Sequence, residues 1–463
     1  MVEICWDKGE AVEGIERFFE KASACLWGDW MLFALLGLGI YYTCMTGFAQ
    51  VRFFPYIIRR FAKEAGKGKE GQAGAGKCSS YQALCTAVAS CVGSGNIVGV
   101  STAILAGGPG ALLWMWVAAF LGMATKLGEI TLGMRYHSYD EEHKVIGGPM
   151  YYIAHAWKMK WVGALVAVLL FIQNAGATLI QSNTISGVAK EAFFLPHGAT
   201  GVLLALVMTF VISGGFQRLV HAAEKVVPVM AGMYVLCGLI VLVLRMPYLP
   251  AVLQSIIEGA FTVKAGTGAV VGLTMKEAMR FGVARGLYSN EAGEGSAAVI
   301  HSSAQVDHPV RQGVYGIMEV FIDTMIICST TGFAVLLTGA NQSHANASTL
   351  AASAFGSVLP GMDKVIYISL ILFAGTSMMS QWYFGHVSLT YLGKPKLALL
   401  YRLLFPVMII FGSLSTIDLV WFIQDCALGV LILPNIVALL ILGPEVRGLV
   451  REFTAICKKE ERM

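Results

Sequence analysis

Two polar interruptions of apolar sequence hold the groups best suited to bind a small charged solute. Cys91-Val92-Gly93-Ser94-Gly95-Asn96-Ile97-Val98-Gly99 sits inside a segment long enough to cross a bilayer, with glycines and an asparagine where leucines would be ordinary. Arg285-Gly286-Leu287-Tyr288-Ser289-Asn290-Glu291-Ala292-Gly293-Glu294-Gly295 is a second such stretch. A helix broken inside hydrocarbon leaves main-chain N–H and C=O groups without partners, so it persists only when buried in protein or lining a cavity. Half-helix N-termini then suit a carboxylate, and half-helix C-termini suit a cation. A zwitterion such as an amino acid needs both. At the first break, the amides of Ser94, Gly95 and Asn96 with the Ser94 hydroxyl form the expected carboxylate cradle. Glycines in membrane helices also serve close packing, a reading that weakens when two polar breaks share one chain.

Other polar residues inside apolar segments fall into small groups. Gln173, Asn174, Gln181, Ser182 and Asn183 run along one segment, and positions 174 and 181 share a helix face. Gln181 could therefore reach a ligand from the bundle interior, or else bond a neighbouring helix. Thr376, Ser377, Ser380 and Gln381 mark a later segment. Hydroxyls one turn apart suit a hard cation, although Thr and Ser also bond back to their own helix carbonyls. Lys126 and Glu129 are three apart, where an ion pair is the simplest reading. Arg285 is expected to pin the second break through Glu291 or Glu294. Asp323 is a candidate for proton or gate chemistry, or a structural hydrogen-bonding group. His137, His143, His221 and His308 offer no metal-ligand spacing. The ten cysteines form no paired motif, so neither zinc nor a disulfide framework is indicated.

The elements that must position these residues are helices in a membrane. The chain is 56% hydrophobic and 13% charged, against about a quarter charged in soluble domains. It reads as an all-α polytopic membrane protein. Apolar windows of about 20 residues predict eleven transmembrane helices, near 30–49, 82–106, 111–134, 161–190, 200–216, 224–245, 270–302, 312–339, 363–392, 396–414 and 417–443. Lys and Arg concentrate in alternate loops, while 107–110, 196–201 and 339–348 are almost free of them. The positive-inside rule then places the N-terminus outside and the C-terminus in the cytoplasm. The expected organisation is an extracellular segment at 1–29, with a short surface helix near 13–25, and a leading helix at 30–49. A cytoplasmic linker at 50–81 follows, flexible over 63–77. Five helices at 82–246, an extracellular loop at 247–269, five more helices at 270–443 and a cytoplasmic tail at 444–463 complete it. With a break in the first helix of each group of five, the order is that of an inverted repeat. No nucleotide-binding loop, nucleophile–base pair or metal cluster occurs, so an ATP-driven pump and an enzyme are not expected. Nor is a nucleic-acid partner.

Several motifs, in order, resemble one family. Gly93-Ser94-Gly95-Asn96-Ile97-Val98-Gly99-Val100, Gly107-Gly108-Pro109-Gly110-Ala111 and Trp114-Met115-Trp116 look like the alanine or glycine:cation symporter family. So do Gly122-Met123-Ala124-Thr125-Lys126 with Glu129, and Gly147-Gly148-Pro149-Met150-Tyr151-Tyr152. The second break is the most specific match, and Phe321-Ile322-Asp323-Thr324 and Leu433-Pro434-Asn435 support it. The resemblance runs from about residue 30 to 443. It implies a LeuT-like secondary transporter, one leading helix plus a five-plus-five inverted repeat with two broken helices, within the amino acid–polyamine–organocation superfamily. It would couple uptake of small neutral amino acids, alanine or glycine, to the sodium gradient across the cell membrane. The match implies sodium held by carbonyls of Ala89, Val92 and Phe373 with the hydroxyls of Thr376 and Ser377. Substrate would lie against Ser94, Gly95, Asn96, Gln181, Tyr288 and Asn290. Family members commonly carry Thr at Ser94, Phe at Tyr288, an apolar residue at Glu294 and Trp near Gln381. An amide at Gln381 beside the substrate would polarise the side-chain pocket and admit glycine, serine or glutamine. A proton-coupled symporter on the same fold, with Asp323 or Glu291 titrating, is the alternative.

Overall fold

A computed structural model describes residues 10–65, 78–139, 143, 145–261, 275–343, 346–415 and 418–460. Within these the chain is overwhelmingly helical. Helices α1 (Glu10–Leu26) and α2 (Asp29–Met45) meet at a 41° bend around Trp27 and Gly28. The amphipathic α3 (Phe54–Ala65) follows. Next, α4 (Ser80–Cys91) and α5 (Val98–Gly107) are the halves of an interrupted helix bent by 65°. Its start is set by a capping box, in which Ser79 and Gln82 each bond the other's main chain. Two orphan donors are satisfied in this way. The longer helices of the rest of the first half are α6 (Ala111–Arg135), α7 (Lys160–Phe193), α8 (His197–Ser213) and α9 (Gly215–Leu244), with a short helix at Pro149–Trp157 before α7.

In the second half, α10 (Met275–Asn290) and α11 (Ala297–His301) flank the second interruption. The segment Pro309–Thr338 runs as α12 (Pro309–Val320), a π-helical stretch at Phe321–Cys328, and α13 (Ser329–Thr338). It is followed by α14 (Met362–Tyr391), α15 (Pro395–Leu414) and α16 (Asp418–Glu460). Among the described residues seven helices are long and apolar enough to cross a membrane, or up to nine when each bent pair counts as one span. Over their described residues, the windows read from the sequence lie mostly on helices or on the two interruptions. Even so, α8 is only 17 residues long and α10 only 16.

The connections carry more helix than expected. The segment at 444–463, expected as a tail, is helical over its described residues, because α16 continues to Glu460. At about 1.5 Å per residue it measures roughly 65 Å, twice the hydrocarbon thickness. Its extension stays helical because Val446, Val450 and Phe453 share a buried face, and Phe453 packs against Phe53 and Tyr56 of the α3 region. The loop at 247–269 contains a helix, Leu249–Phe261; residues 262–269 lie outside the described residues. The helix expected near 13–25 is present as α1 and packs on α16, with Trp27 Nε1 donating to Asp425 O at 3.0 Å. Most of the 63–77 linker lies outside the described residues.

Close helix approach positions the interior charges. A Cβ on Gly316 would come within 2.5 Å of Ile130 Cδ1 and 3.1 Å of Lys126 Cγ. Ile130 Cδ1 is the movable end of a side chain, but the tight approach to Lys126 makes a glycine here ease the packing of α12 on α6. Small residues play this role throughout membrane bundles.

Candidate functional site

The first break begins where Val92 and Gly93 leave helical geometry, Gly93 in extended backbone at φ −135°. Ser94–Asn96 form a single 3-10 turn before α5 starts. In an unbroken helix the Gly93 N–H would bond the Ala89 carbonyl. Here it donates to Asn96 Oδ1 at 2.9 Å, so the Asn96 side chain sets the shape of the break. Among the described residues the main-chain N–H groups of Ser94 and Gly95 have no hydrogen-bond partner. Both residues line a cavity of about 430 Å³. Tyr288 of the second break forms part of its wall, with Asn183 of α7, Arg285 of α10 and Trp421 of α16. A Cβ on Gly95 would lie 3.5 Å from the Tyr288 ring, which leaves a narrow slot above the free amides. The Tyr288 and Trp421 rings stand 6.3 Å apart.

The second break has a different cause. After Asn290, Glu291 adopts left-handed backbone at φ 55°, and Gly293 and Gly295 follow at φ 100° and 78°. Left-handed geometry is costly for a residue with a Cβ. Glu291 is held there by Ser90 Oγ at 3.1 Å and Ser296 Oγ at 2.6 Å, which donate to its two carboxylate oxygens. The two breaks are thereby tied to each other through Ser90 of α4.

Of the residues expected at a substrate, Ser94, Gly95 and Tyr288 line the cavity, and Asn96, Gln181, Asn290 and Gln381 do not. Asn96 is fully buried and points to Asp323, its Nδ2 donating to Asp323 Oδ1 at 2.5 Å. Asn290 donates to Thr324 Oγ1 at 3.2 Å and accepts from the Ala292 N–H at 3.1 Å. Gln181 lies against the break, since a Cβ on Gly93 would come 2.7 Å from its Nε2. That Nε2 donates to Ser377 Oγ at 3.4 Å, while the buried Oε1 has no partner. Gln381 is engaged at both ends, donating to Ser377 Oγ at 3.0 Å and accepting from Thr178 Oγ1 at 3.3 Å. Helical periodicity could place these side chains on a face; which neighbour each would meet depended on packing.

The expected cation ligands span the contact between α4 and α14. Ser377 Oγ donates to Ser90 O at 3.0 Å and Ser380 Oγ to Thr86 O at 3.3 Å, so the two helices are stitched together beside Ala89 and Val92. With the Gly93 N–H diverted to Asn96, no donor to Ala89 O or Val92 O occurs among the described residues. Thr376 bonds back to Leu372 O and Phe373 O, both at 3.0 Å. It also borders a separate apolar cavity of about 360 Å³ between α7, α8, α9 and α14.

The charged residues pair differently from the expectation. Lys126 does not pair with Glu129. Its ammonium pairs ionically with Glu319 Oε1 at 3.1 Å and donates to Asn290 O at 2.8 Å. Glu129 instead accepts from Asn435 Nδ2 at 2.7 Å, and the same amide reaches Gly293 O. Spacing along α6 favoured the local pair, but the close approach of α12 brings Glu319 nearer. Arg285 bonds neither Glu291 nor Glu294 among the described residues, because Glu291 is held by the two serines; it lines the cavity instead. Sequence reasoning missed Glu319 and Trp421 altogether and gave Ser289 no role. A glutamate in an apolar window was the one available signal for Glu319.

Comparisons with known proteins agree with this picture. The family model described as sodium:alanine symporter family matches residues 12–463. A sodium/alanine symporter of Methanococcus maripaludis is 34% identical, with 94% of this chain and 97% of that protein covered. A putative sodium/proton-dependent alanine carrier of Bacillus subtilis is 36% identical, covering 92% of this chain and 90% of its own length. Among solved structures, a substrate-bound, outward-open sodium-coupled sialic acid symporter superposes with a TM-score of 0.54 at 10% identity, over 85% of this chain and 81% of that one. At that identity the likeness is one of fold. The chain belongs to the sodium:alanine symporter family, a family of transporters rather than enzymes, and has a helical, multi-pass membrane transporter fold.

Proposed function

We propose that the protein is a secondary active transporter that couples the sodium gradient to uptake of a small neutral amino acid, alanine or glycine, by alternating access. The observation that carries this reading is the pair of free N–H groups at Ser94 and Gly95, on the wall of a cavity shared with Tyr288 of the second break. The substrate carboxylate takes those amides, and its ammonium group takes carbonyls of the broken helices, with Gln181 lying behind Gly93 rather than on the cavity wall. Asn96 and Asn290 hold the breaks in shape, and Gln381 orients Ser377. Sodium binds between α4 and α14, at the carbonyls of Ala89, Val92 and Phe373 and the hydroxyls of Thr376 and Ser377. The ion drives transport through its different affinities for the two end states.

The same reading includes eleven spans in a cell membrane, one leading helix and two inverted groups of five, with the N-terminus outside. The family and the position of one break in each half support it. A proton as the coupling ion is the second reading, favoured by the alanine carrier named as sodium/proton-dependent. Proteoliposome uptake of labelled alanine, glycine, serine and glutamine tests both. An imposed inward sodium gradient is expected to drive accumulation. Accumulation that ignores sodium and follows a pH gradient would overturn sodium coupling.

A further inference from the structure

We propose that the outer face of α3 docks on anionic phospholipid headgroups of the cytoplasmic leaflet, and that lipid bound there speeds transport. The proposal rests on the transport reading, which also supplies the side of the membrane.

The twelve residues of α3 divide into two faces. Successive helical residues turn by about 100°. Phe54, Tyr56, Ile57, Arg60, Phe61 and Glu64 fall on one arc and are buried or half-buried, while Pro55, Ile58, Arg59, Ala62 and Lys63 fall on the other and are exposed.

The inner arc is fully engaged. The Phe54 ring stands edge-on to Phe321, the first residue of the π-helical stretch, at 4.8 Å, and the Phe61 ring lies 5.6 Å from Tyr81 of α4. Tyr56 accepts a hydrogen bond from Arg311 Nη1 at 2.8 Å. Glu64 pairs with Arg60 at 2.8 Å and accepts from the Tyr315 hydroxyl at 2.8 Å. The one acidic residue of α3 is therefore turned inward and neutralised there.

The outer arc carries no acid. Arg59 and Lys63 stand one turn apart, and among the described residues neither has an ion-pair or hydrogen-bond partner. Beside them runs an apolar stripe of Pro55, Ile58 and Ala62, with Ile58 46% exposed. Unpaired cations alone would suit water, and a bare apolar stripe alone would suit another protein surface. An apolar stripe edged by cations suits the headgroup boundary, where the apolar side chains sink in and Lys and Arg reach up to phosphates. The route of the chain agrees, because α2, half of a bent candidate span, ends at Met45 shortly before α3 begins. The cytoplasmic leaflet is negatively charged, and each cation held near it strengthens binding by about fivefold.

The inner contacts give the lipid something to control. Through Tyr81 α3 braces the start of α4, the first half of the first broken helix, and through Phe321 and Tyr315 it braces α12 and the π-helical stretch. Lipid that holds α3 down opposes opening on the cytoplasmic side and so favours the state that loads substrate from outside, by binding the two end states unequally.

Full-length protein in vesicles of phosphatidylcholine, with or without about one-third phosphatidylglycerol, tests this under one imposed sodium gradient. Uptake at sub-saturating substrate is expected to be about five- to tenfold faster with phosphatidylglycerol, and Arg59→Gln with Lys63→Gln to return it to the neutral-lipid rate. A second readout is binding. Phosphatidylglycerol, unlike phosphatidylcholine, should raise the melting temperature of the detergent-solubilised protein, and the double variant should need about 20-fold more lipid for the same rise. Both substituted side chains are exposed and unpaired, so the variant should fold as wild type does. Equal responses to phosphatidylglycerol in the two proteins, or none in either, would overturn the site. So would complete disulfide-linked dimerisation of Ala62→Cys in both kinds of vesicle, since a second copy would then cover this face. Failure to concentrate any amino acid, with lipid binding still lost in the double variant, would overturn the transport reading and leave the lipid surface in place.

Discussion

The amide of Asn96 works in two directions. Its Nδ2 donates to Asp323 Oδ1 at 2.5 Å, and its Oδ1 accepts the Gly93 N–H at 2.9 Å. One side chain thus shapes the first break and fastens it to the π-helical stretch. Asn96→Ala removes both bonds and leaves Asp323 short of a donor. Losing a hydrogen bond to a buried charged group costs about 1.5–3 kcal/mol. Uptake is expected to fall roughly 10- to 100-fold, with a lower melting temperature; normal uptake would refute the role given to Asn96.

Gly95 faces the Tyr288 ring across the slot where a substrate carboxylate would sit. A single Cβ would make ordinary contact there, at 3.5 Å. Gly95→Ala is therefore expected to fold normally and to raise KM about tenfold, by filling substrate space rather than by straining the chain. Gly95→Leu should abolish uptake while leaving the melting temperature within a few degrees. Uptake kinetics beside thermal denaturation separate the two effects.

Ser377 and Thr376 should differ. Ser377 crosses to Ser90 O of α4, whereas Thr376 bonds back to its own helix. Ser377→Ala is expected to raise the half-saturating sodium concentration by about tenfold or more, and Thr376→Ala by less, because only Ser377 also joins the two helices. A sodium titration of uptake that leaves both variants like wild type would remove this ion site.

Lys126 and Glu319 form an ion pair with both side chains at most 1% exposed. Removing one partner of such a pair costs about 3–5 kcal/mol, because the other charge stays buried. Lys126→Met is expected to destabilise the protein severely, and Lys126→Met with Glu319→Gln distinctly less. Melting temperatures around this double-mutant cycle give the coupling. Additive losses would show that the pair does not interact.

At the start of α12, Arg311 binds Asp307, Glu460 at the end of α16, and Tyr56 of α3. Burial acts to raise the Asp307 carboxyl pKa, but its bond and charge attraction to Arg311 outweigh this and hold it below the ordinary value of 3.8. The stabilisation Asp307 contributes is therefore complete above that value and lost as pH falls through the lower folded-state value. Asp307→Asn should flatten the acid limb of the stability profile and leave stability at pH 7 slightly lower. An unchanged acid limb would refute the contribution.

Much of this architecture was legible in the residues. The apolar windows fell on helices because a backbone in hydrocarbon has to satisfy its own hydrogen bonds, and about 20 residues span the layer. Both interruptions were visible as glycine and polar residues in the wrong company. Gly293 and Gly295 mark left-handed backbone that other residues resist. Missed was the long helical reach of α16 past 443, since its buried face exists only when α3 and α12 lie alongside.

Local composition and backbone hydrogen bonding already dictate a membrane-embedded helical chain with two broken helices. The sequence also carried the motifs that identify the family. Which polar residues meet was settled by packing. Lys126 found Glu319 instead of Glu129, Arg285 turned to the cavity, and Asn96 turned away from it toward Asp323. Partners in a packed interior are chosen by helix approach distances, to which glycines such as Gly316 contribute, and spacing along one helix cannot encode the position of another.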